Sequence, residues 1–337
     1  MNKFIKRILI TAAAGTLCTA ICGCSADKKK DNKKKEKENY KIVVALDYMP
    51  EAVTAGLYAA LDQGYFEKEG LEVSVLTIEE EGNQTPEELL ASGEASLGIA
   101  DQDVLGESLF EEGAISYRAF ASLCPNNHMG ILTAAEAEIG DFSGLSGKRF
   151  SYNKWDVEDA MMEDLMAASG ASYETVLCIP NAVTDINKAL EEGITDAIFC
   201  QEDQGLLALE NGYAGSFLPV NEKLEALNYC TNVIFSTEKW AKDHEKTIDL
   251  FLKAFEKGNE YAMTYPKSAA RILKEFGALE PETILKDEVE LFAEDWNACK
   301  EQGQETTFLS AERWTRFYAW MLDKGLIPEG SDVSTGL

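Results

Sequence analysis

From residue 40 onward, short apolar runs alternate with amphipathic segments, and this alternation limits the fold more than any other feature of the chain. Lys41–Leu46 and Leu71–Leu76 read as strands. Thr54–Lys68 between them reads as a helix, with Leu57, Ala60, Leu61 and Tyr65 on one face and Gly70 as its stop. Thr85 and Pro86 supply an N-cap and a first helical residue. Ser96–Ala100 and Ser116–Leu123 are further strands, on either side of a helix over Asp101–Gly113. This order calls for a parallel α/β sheet. The pattern restarts at Gly147–Tyr152 and runs through helix Val157–Ser169, strand Thr175–Ile179, helix Val183–Glu192, strand Asp196–Cys200 and helix Gln204–Leu209. Tyr229–Ser236 reads as the last strand, and only helices follow, to Leu326. No Ser- or Pro-rich linker divides the two units. Two lobes joined by crossing strands are therefore expected: 40–127 with 232–337, and 128–231.

The first 39 residues obey different rules. Lys3, Lys6 and Arg7 precede an apolar run from Ile8 to Ile21, too short for a comfortable membrane span. The run ends in Ile21, Cys22, Gly23 and Cys24, an aliphatic residue at −3 and a small one at −1 before a cysteine. This resembles the lipobox of bacterial lipoproteins, which implies a signal peptide over 1–23 and a lipid on Cys24. Cys18 and Cys22 are poorer candidates, because Leu17 and Ile21 would crowd the scissile bond. Residues 25–39 carry no large apolar side chain and read as a solvated tether, whose lysines favour an anionic bilayer surface.

Charge then reverses. The chain has 31 Lys and Arg against 59 Asp and Glu, and residues 40–337 alone hold 21 against 55, a net charge of −34. Such a surface repels nucleic acid. Five cysteines lie in this part, at positions 124, 178, 200, 230 and 299, with neither a disulfide framework nor a zinc-type spacing. Cys178 and Cys200 sit in apolar runs and are expected as small buried residues. The two histidines, His128 and His244, lack a placed nucleophile. No phosphate loop, dinucleotide fingerprint, HExxH or CxxC is present. Neither a metal nor a cofactor is expected, and no catalytic residue is assigned. The aromatics at Trp314, Phe317 and Tyr318 read as a core stripe.

Ligands in open α/β sheets bind beyond the carboxyl ends of strands. Here those ends carry Asp47 and Tyr48, Asp101 and Gln102, Gln201 to Asp203, and Cys124 to His128.

The stretch from Leu46 to Val73 includes Asp47-Tyr48-Met49-Pro50, Ala55-Gly56-Leu57-Tyr58-Ala59-Ala60 and Gly64-Tyr65-Phe66. It resembles the NMT1/THI5-like family of thiamine-pyrimidine-precursor proteins. Leu145–Phe150, Tyr152 with Trp155, and Trp314 with Trp320 to Ile327 continue the likeness, over about residues 41–330. The resemblance implies a two-lobed type II periplasmic-binding-protein fold with a ligand cleft between the lobes. It also implies a lipid-anchored, extracytoplasmic, monomeric binding protein on the outer face of the cytoplasmic membrane. That protein would pass a small heteroaromatic solute to an ABC permease. The expected cleft residues are Tyr48, Glu51, Thr54, Asp101, Gln102, Asn127, Trp155, Gln201 and Glu202, with Tyr48 and Trp155 clamping a ring. The chain departs from the family pattern at Tyr48, Glu51 and Thr54, where the family has Trp, Asn and His. A sulfonate or amine ligand, an anchored receptor without transport, and the family's pyrimidine-synthesising enzymes are the alternatives. Thr54 in place of the histidine, and an export signal, weigh against the enzyme.

Overall fold

The computed structural model describes residues 40–77, 84–111, 113, 115–153, 156–180, 183 and 185–337. Cys24, with the whole leader and tether, and Trp155 lie outside the described residues.

The first lobe begins with β1 (Tyr40–Leu46), a 3-10 turn at Ala52–Thr54, α1 (Ala55–Asp62), α2 (Tyr65–Glu69) and β2 (Leu71–Thr77). It continues through α3 (Pro86–Ser92), β3 (Leu97–Ala100), α4 (Gln102–Phe110) and β4 (Tyr117–Ser122). The chain then crosses to the second lobe, which holds β5 (Met129–Ala134), β6 (Arg149–Tyr152), α5 (Asp156–Ala168), β7 (Leu177–Pro180) and α6 (Ile186–Glu191). That lobe ends with β8 (Ala197–Gln201), α7 (Glu202–Glu210), β9 (Ala214–Pro219) and α8 (Val220–Lys223). A second crossing leads to β10 (Val233–Thr237) and to α9 (Glu238–Asp243), α10 (Glu245–Thr264), α11 (Pro266–Phe276), α12 (Glu282–Glu301) and α13 (Ala311–Asp323).

The two sheets have the orders β2-β1-β3-β10-β4 and β7-β6-β8-β5-β9. Neither is purely parallel, which corrects the sequence expectation. β10 runs antiparallel to β3 and β4, and β5 antiparallel to β8 and β9. Each reversed strand is the first strand after a crossing, so it arrives in its sheet from the opposite direction. β5 and β9, six residues each, are not among the strands expected from sequence; each carries a glycine near its start, and β9 ends in proline, which weakens the strand signal. The helix expected over 54–68 is broken by Gly64, whose φ of +64° lies in the left-handed region. Cys178 is exposed on the edge strand β7 rather than buried, because its strand has a neighbour on one side only.

α10 presents an apolar face with Phe251 and Phe255 fully buried, each stabilising the fold by roughly 1.5–3 kcal/mol. It packs on α1 at a backbone-to-backbone approach. A Cβ on Gly258 would lie 1.9 Å from the carbonyl oxygen of Gly56, and one on Gly56 would lie 1.6 Å from Asn259 Oδ1. Gly56 therefore serves helix packing. α12 runs from the first lobe across to the second: Trp296 Nε1 donates to Leu123 O at 2.8 Å, and Asp295 meets His128 at 3.0 Å. α13 reaches α5, where Trp320 Nε1 donates to Asp164 at 2.9 Å. No helix among the described residues is long and apolar enough to cross a membrane.

Candidate functional site

A cavity of about 690 Å³ opens between the lobes. The loop after β1 brings Met49, Pro50 and Glu51 to it, and the end of β6 brings Ser151 and Tyr152. β8 with the first turns of α7 adds Phe199 and Asp203, the loop before α12 adds Glu280, and the first turns of α12 add Ile284 and Glu288. The wall carries five acids, Glu51, Asp185, Asp203, Glu280 and Glu288, and no Lys, Arg or His among the described residues. Asp185 is occupied as the N-cap of α6, accepting from Lys188 N at 3.0 Å.

Burial and mutual repulsion govern the other acids. Burial, then the charge of Asp203, pushes Glu51 up to about 8. The same two causes push Glu288 up to about 9. Burial, with a smaller contribution from the charge of Glu202, raises Asp203 to about 6, against backbone N–H groups and the charge of His128, which favour its ionised form. Near pH 7, Glu51 and Glu288 are therefore neutral acids, each with one O–H donor and one C=O acceptor. Two buried wall atoms, Asp203 Oδ1 and Ser151 Oγ, have no hydrogen-bond partner among the described residues. Tyr152 and Phe199 add nearly buried aromatic surface.

Of the nine residues expected in the cleft, Glu51 lines the cavity. Thr54 is fully buried; its hydroxyl donates to Glu51 O at 2.7 Å and accepts from Glu51 N, closing the turn before α1. Gln102 is fully buried and joins three segments: Nε2 donates to Trp314 O at 3.1 Å, Oε1 accepts from Cys230 N at 2.8 Å, and its carbonyl accepts from Tyr318. Asn127 holds the two crossings together, donating from Nδ2 to Leu227 O at 2.6 Å and accepting at Oδ1 from Met129 N at 2.8 Å. Asp101 accepts from Asn232 N at 2.8 Å, and the Tyr48 hydroxyl donates to Asn232 Oδ1. Tyr48 otherwise packs on the first lobe's core. Burial, then the charge of Asp103, raises Asp101 to about 7. Gln201 starts α7, its N–H donating to Gln204 Oε1 at 3.2 Å.

Glu202 turns away from the cavity to His128, with Oε2 3.1 Å from Nδ1. The other ring nitrogen lies 3.0 Å from Asp295 Oδ2. Burial opposes charge on His128, but its bonds to Asp295, Cys124 and Glu202 prevail and raise it to about 12. The ring is thus an imidazolium joining the second lobe to α12.

Asp203, Tyr152, Glu280 and Glu288 are wall residues missed by the choice of contacts from sequence. Asp203 and Tyr152 carried a signal, one at a strand end and one inside the matched segment.

The model of the family described as NMT1/THI5 like matches residues 51–269. The formylaminopyrimidine-binding protein of Halalkalibacterium halodurans is 26% identical over 236 residues, 69% of this chain and 69% of its own length. A 4-amino-5-hydroxymethyl-2-methylpyrimidine phosphate synthase of Uromyces fabae is 23% identical over 244 residues, 68% of this chain and 69% of its own. Among solved structures, the periplasmic aliphatic sulphonate binding protein SsuA from Escherichia coli superposes with a TM-score of 0.66 at 14% identity, covering 87% of this chain and 96% of the other. That superposition establishes the two-lobed periplasmic-binding-protein fold.

Proposed function

The chain belongs to the NMT1/THI5-like family, and from that premise we propose that it is an extracytoplasmic binding protein that delivers a small aminopyrimidine-type heteroaromatic to an ABC importer. The observation that carries this reading is the acid-lined cavity. A neutral carboxylic acid matches an amino group beside a ring nitrogen: its C=O accepts from the amine and its O–H donates to the ring. Glu51 and Glu288 are held in that neutral form near pH 7. Tyr152 and Phe199 offer flat apolar surface for the ring. A volume of about 690 Å³ suits one small molecule. A sulfonate, by contrast, would face five acids and no Lys, Arg or His among the described wall residues.

Binding rather than synthesis is favoured by the state of the reactive groups. Thr54, which stands where the family has histidine, is buried in a turn, and the Cys124 thiol is fully buried. The importer role is supported by the likeness to a bacterial formylaminopyrimidine-binding protein and by the periplasmic-binding-protein fold. Anchoring through Cys24 is part of the same proposal. Titration calorimetry of the full chain with 4-aminopyrimidines, alkylamines and alkanesulfonates tests the ligand class. Saturable binding of the aminopyrimidines supports the reading. Binding confined to alkanesulfonates sinks it, and binding confined to alkylamines moves the ligand to the simple cations.

A further inference from the structure

A second constellation lies at the hinge, outside the cavity. Cys124 Sγ and His128 Nε2 converge on one oxygen, Asp295 Oδ2, at 3.1 and 3.0 Å. The three ligand atoms all lie within 4.8 Å of one another. Sulfur, imidazole nitrogen and carboxylate oxygen form a ligand set suited to zinc-class divalent ions. Sequence spacing does not announce it, because Asp295 comes from α12, far along the chain.

The surrounding bonds are those that metal ligands need. Glu202 Oε2 sits 3.1 Å from His128 Nδ1, the nitrogen that does not face the cluster. A carboxylate there keeps the proton on Nδ1 and leaves the Nε2 lone pair for a metal. Asn126 Nδ2 donates to the other Asp295 oxygen at 2.8 Å, which orients Oδ2 toward the sulfur and the imidazole. We infer that Cys124, His128 and Asp295 form a binding site for one zinc-class divalent ion, with Glu202 and Asn126 as supporting residues and water as fourth ligand.

The geometry accommodates this with small movements. Bonds of about 2.0–2.3 Å in a tetrahedron set ligand atoms roughly 3.3–3.6 Å apart. The observed separations of 3.0 and 3.1 Å are those of the protonated, hydrogen-bonded cluster and must open by a few tenths of an ångström. On binding, the thiol proton and the Nε2 proton pass to solvent, and the ion takes their place. Asp295 and Asn126 border a separate cavity of about 370 Å³, which gives the ion and its water a route in. Cys124 and His128 flank the first crossing, so the ion would fasten that crossing to α12.

Cobalt(II) is the probe, added to the full chain and to its Cys124→Ser variant, with folding checked by circular dichroism. The expected result is one equivalent of cobalt with a thiolate-to-cobalt band in the near ultraviolet, displaced by zinc and absent in the variant. The leader cysteines remain in both proteins, so they cancel. Glu202→Gln should keep the band and weaken cobalt about 10-fold. Equal spectra in wild type and Cys124→Ser overturn the inference and leave His128 as an imidazolium between two carboxylates. If Cys124→Ser does not fold, Asp295→Asn serves in its place: a thiolate band of unchanged affinity in that variant is equally fatal.

Discussion

Replacing Glu51 by Gln and by Ala separates two ways in which an acidic wall can hold a ligand. With Glu51 raised to about 8, its neutral form outnumbers its ionised form about 10 to 1 at pH 7. A neutral acid and an amide share the same pattern, one donor and one acceptor on neighbouring atoms. Glu51→Gln should therefore change aminopyrimidine affinity by no more than about threefold. Glu51→Ala removes both bonds and should cost about 1–3 kcal/mol, or roughly 5- to 150-fold. The pH dependence has a fixed sign. The ligand binds the protonated acid, so affinity is full below the Glu51 value of about 8 and declines as pH rises through it. Between pH 7 and pH 9 the fall should be about 10-fold, and Glu51→Gln should flatten that profile. Calorimetry at several pH values, in buffers of differing ionisation enthalpy, measures both affinity and proton uptake. Affinity that climbs from pH 7 to pH 9, or a loss above about 50-fold in Glu51→Gln, would refute the neutral-acid argument and point to a carboxylate holding a cation.

Three further outcomes follow from the fold. Gly258→Ala drives a methyl group into the Gly56 carbonyl oxygen, 1.9 Å from the ideal Cβ, and should destabilise by about 1–3 kcal/mol in urea unfolding. Glu256 accepts four bonds, from the N–H and hydroxyl groups of Thr306 and Thr307 at 2.6–3.1 Å; Glu256→Ala strands those buried donors and should cost about 3 kcal/mol by the same assay. Cys24→Ala should abolish incorporation of radiolabelled fatty acid in cells and move the protein from the membrane to the soluble fraction; persistent labelling would move the anchor to another cysteine.

The fold was legible where local chemistry is strong. Thr85 and Pro86 announce α3 because capping is a matter of adjacent residues: the Thr85 hydroxyl accepts from Glu88 N at 3.3 Å, and Glu88 returns a bond to Thr85 N at 3.0 Å. The reversed strands were not legible, because strand direction is set by where the chain arrives from, and β5 carries no periodic signal of its own. The site divides on the same line. Glu51 follows directly from a strand end, whereas Glu280, Ile284 and Glu288 reach the wall from α12 and the loop before it, well over 200 residues further along the chain. Polar residues near strand ends look alike in sequence whether they face a ligand or hold the backbone: Thr54 closes the turn before α1, and Gln102 and Asn127 bond to the segment of the second crossing.

Glu202 and Asp203 show how fine that division is. They are neighbours in the first turn of α7, and successive helical residues point about 100° apart. One turns to His128 and the hinge, and the other turns to the cavity. The same helix start thus serves both the ligand wall and the tie between lobes. A ligand that alters the charge of Asp203 changes the field at His128, since the two interact electrostatically. Occupancy of the cavity and the strength of the hinge tie are therefore coupled through a single helical turn. Glu202→Gln separates them, because it weakens the tie and leaves every wall residue in place. Ligand affinity should stay within about threefold in that variant while its dependence on salt changes. An affinity loss above about 10-fold would show that the tie sets the cavity's geometry as well.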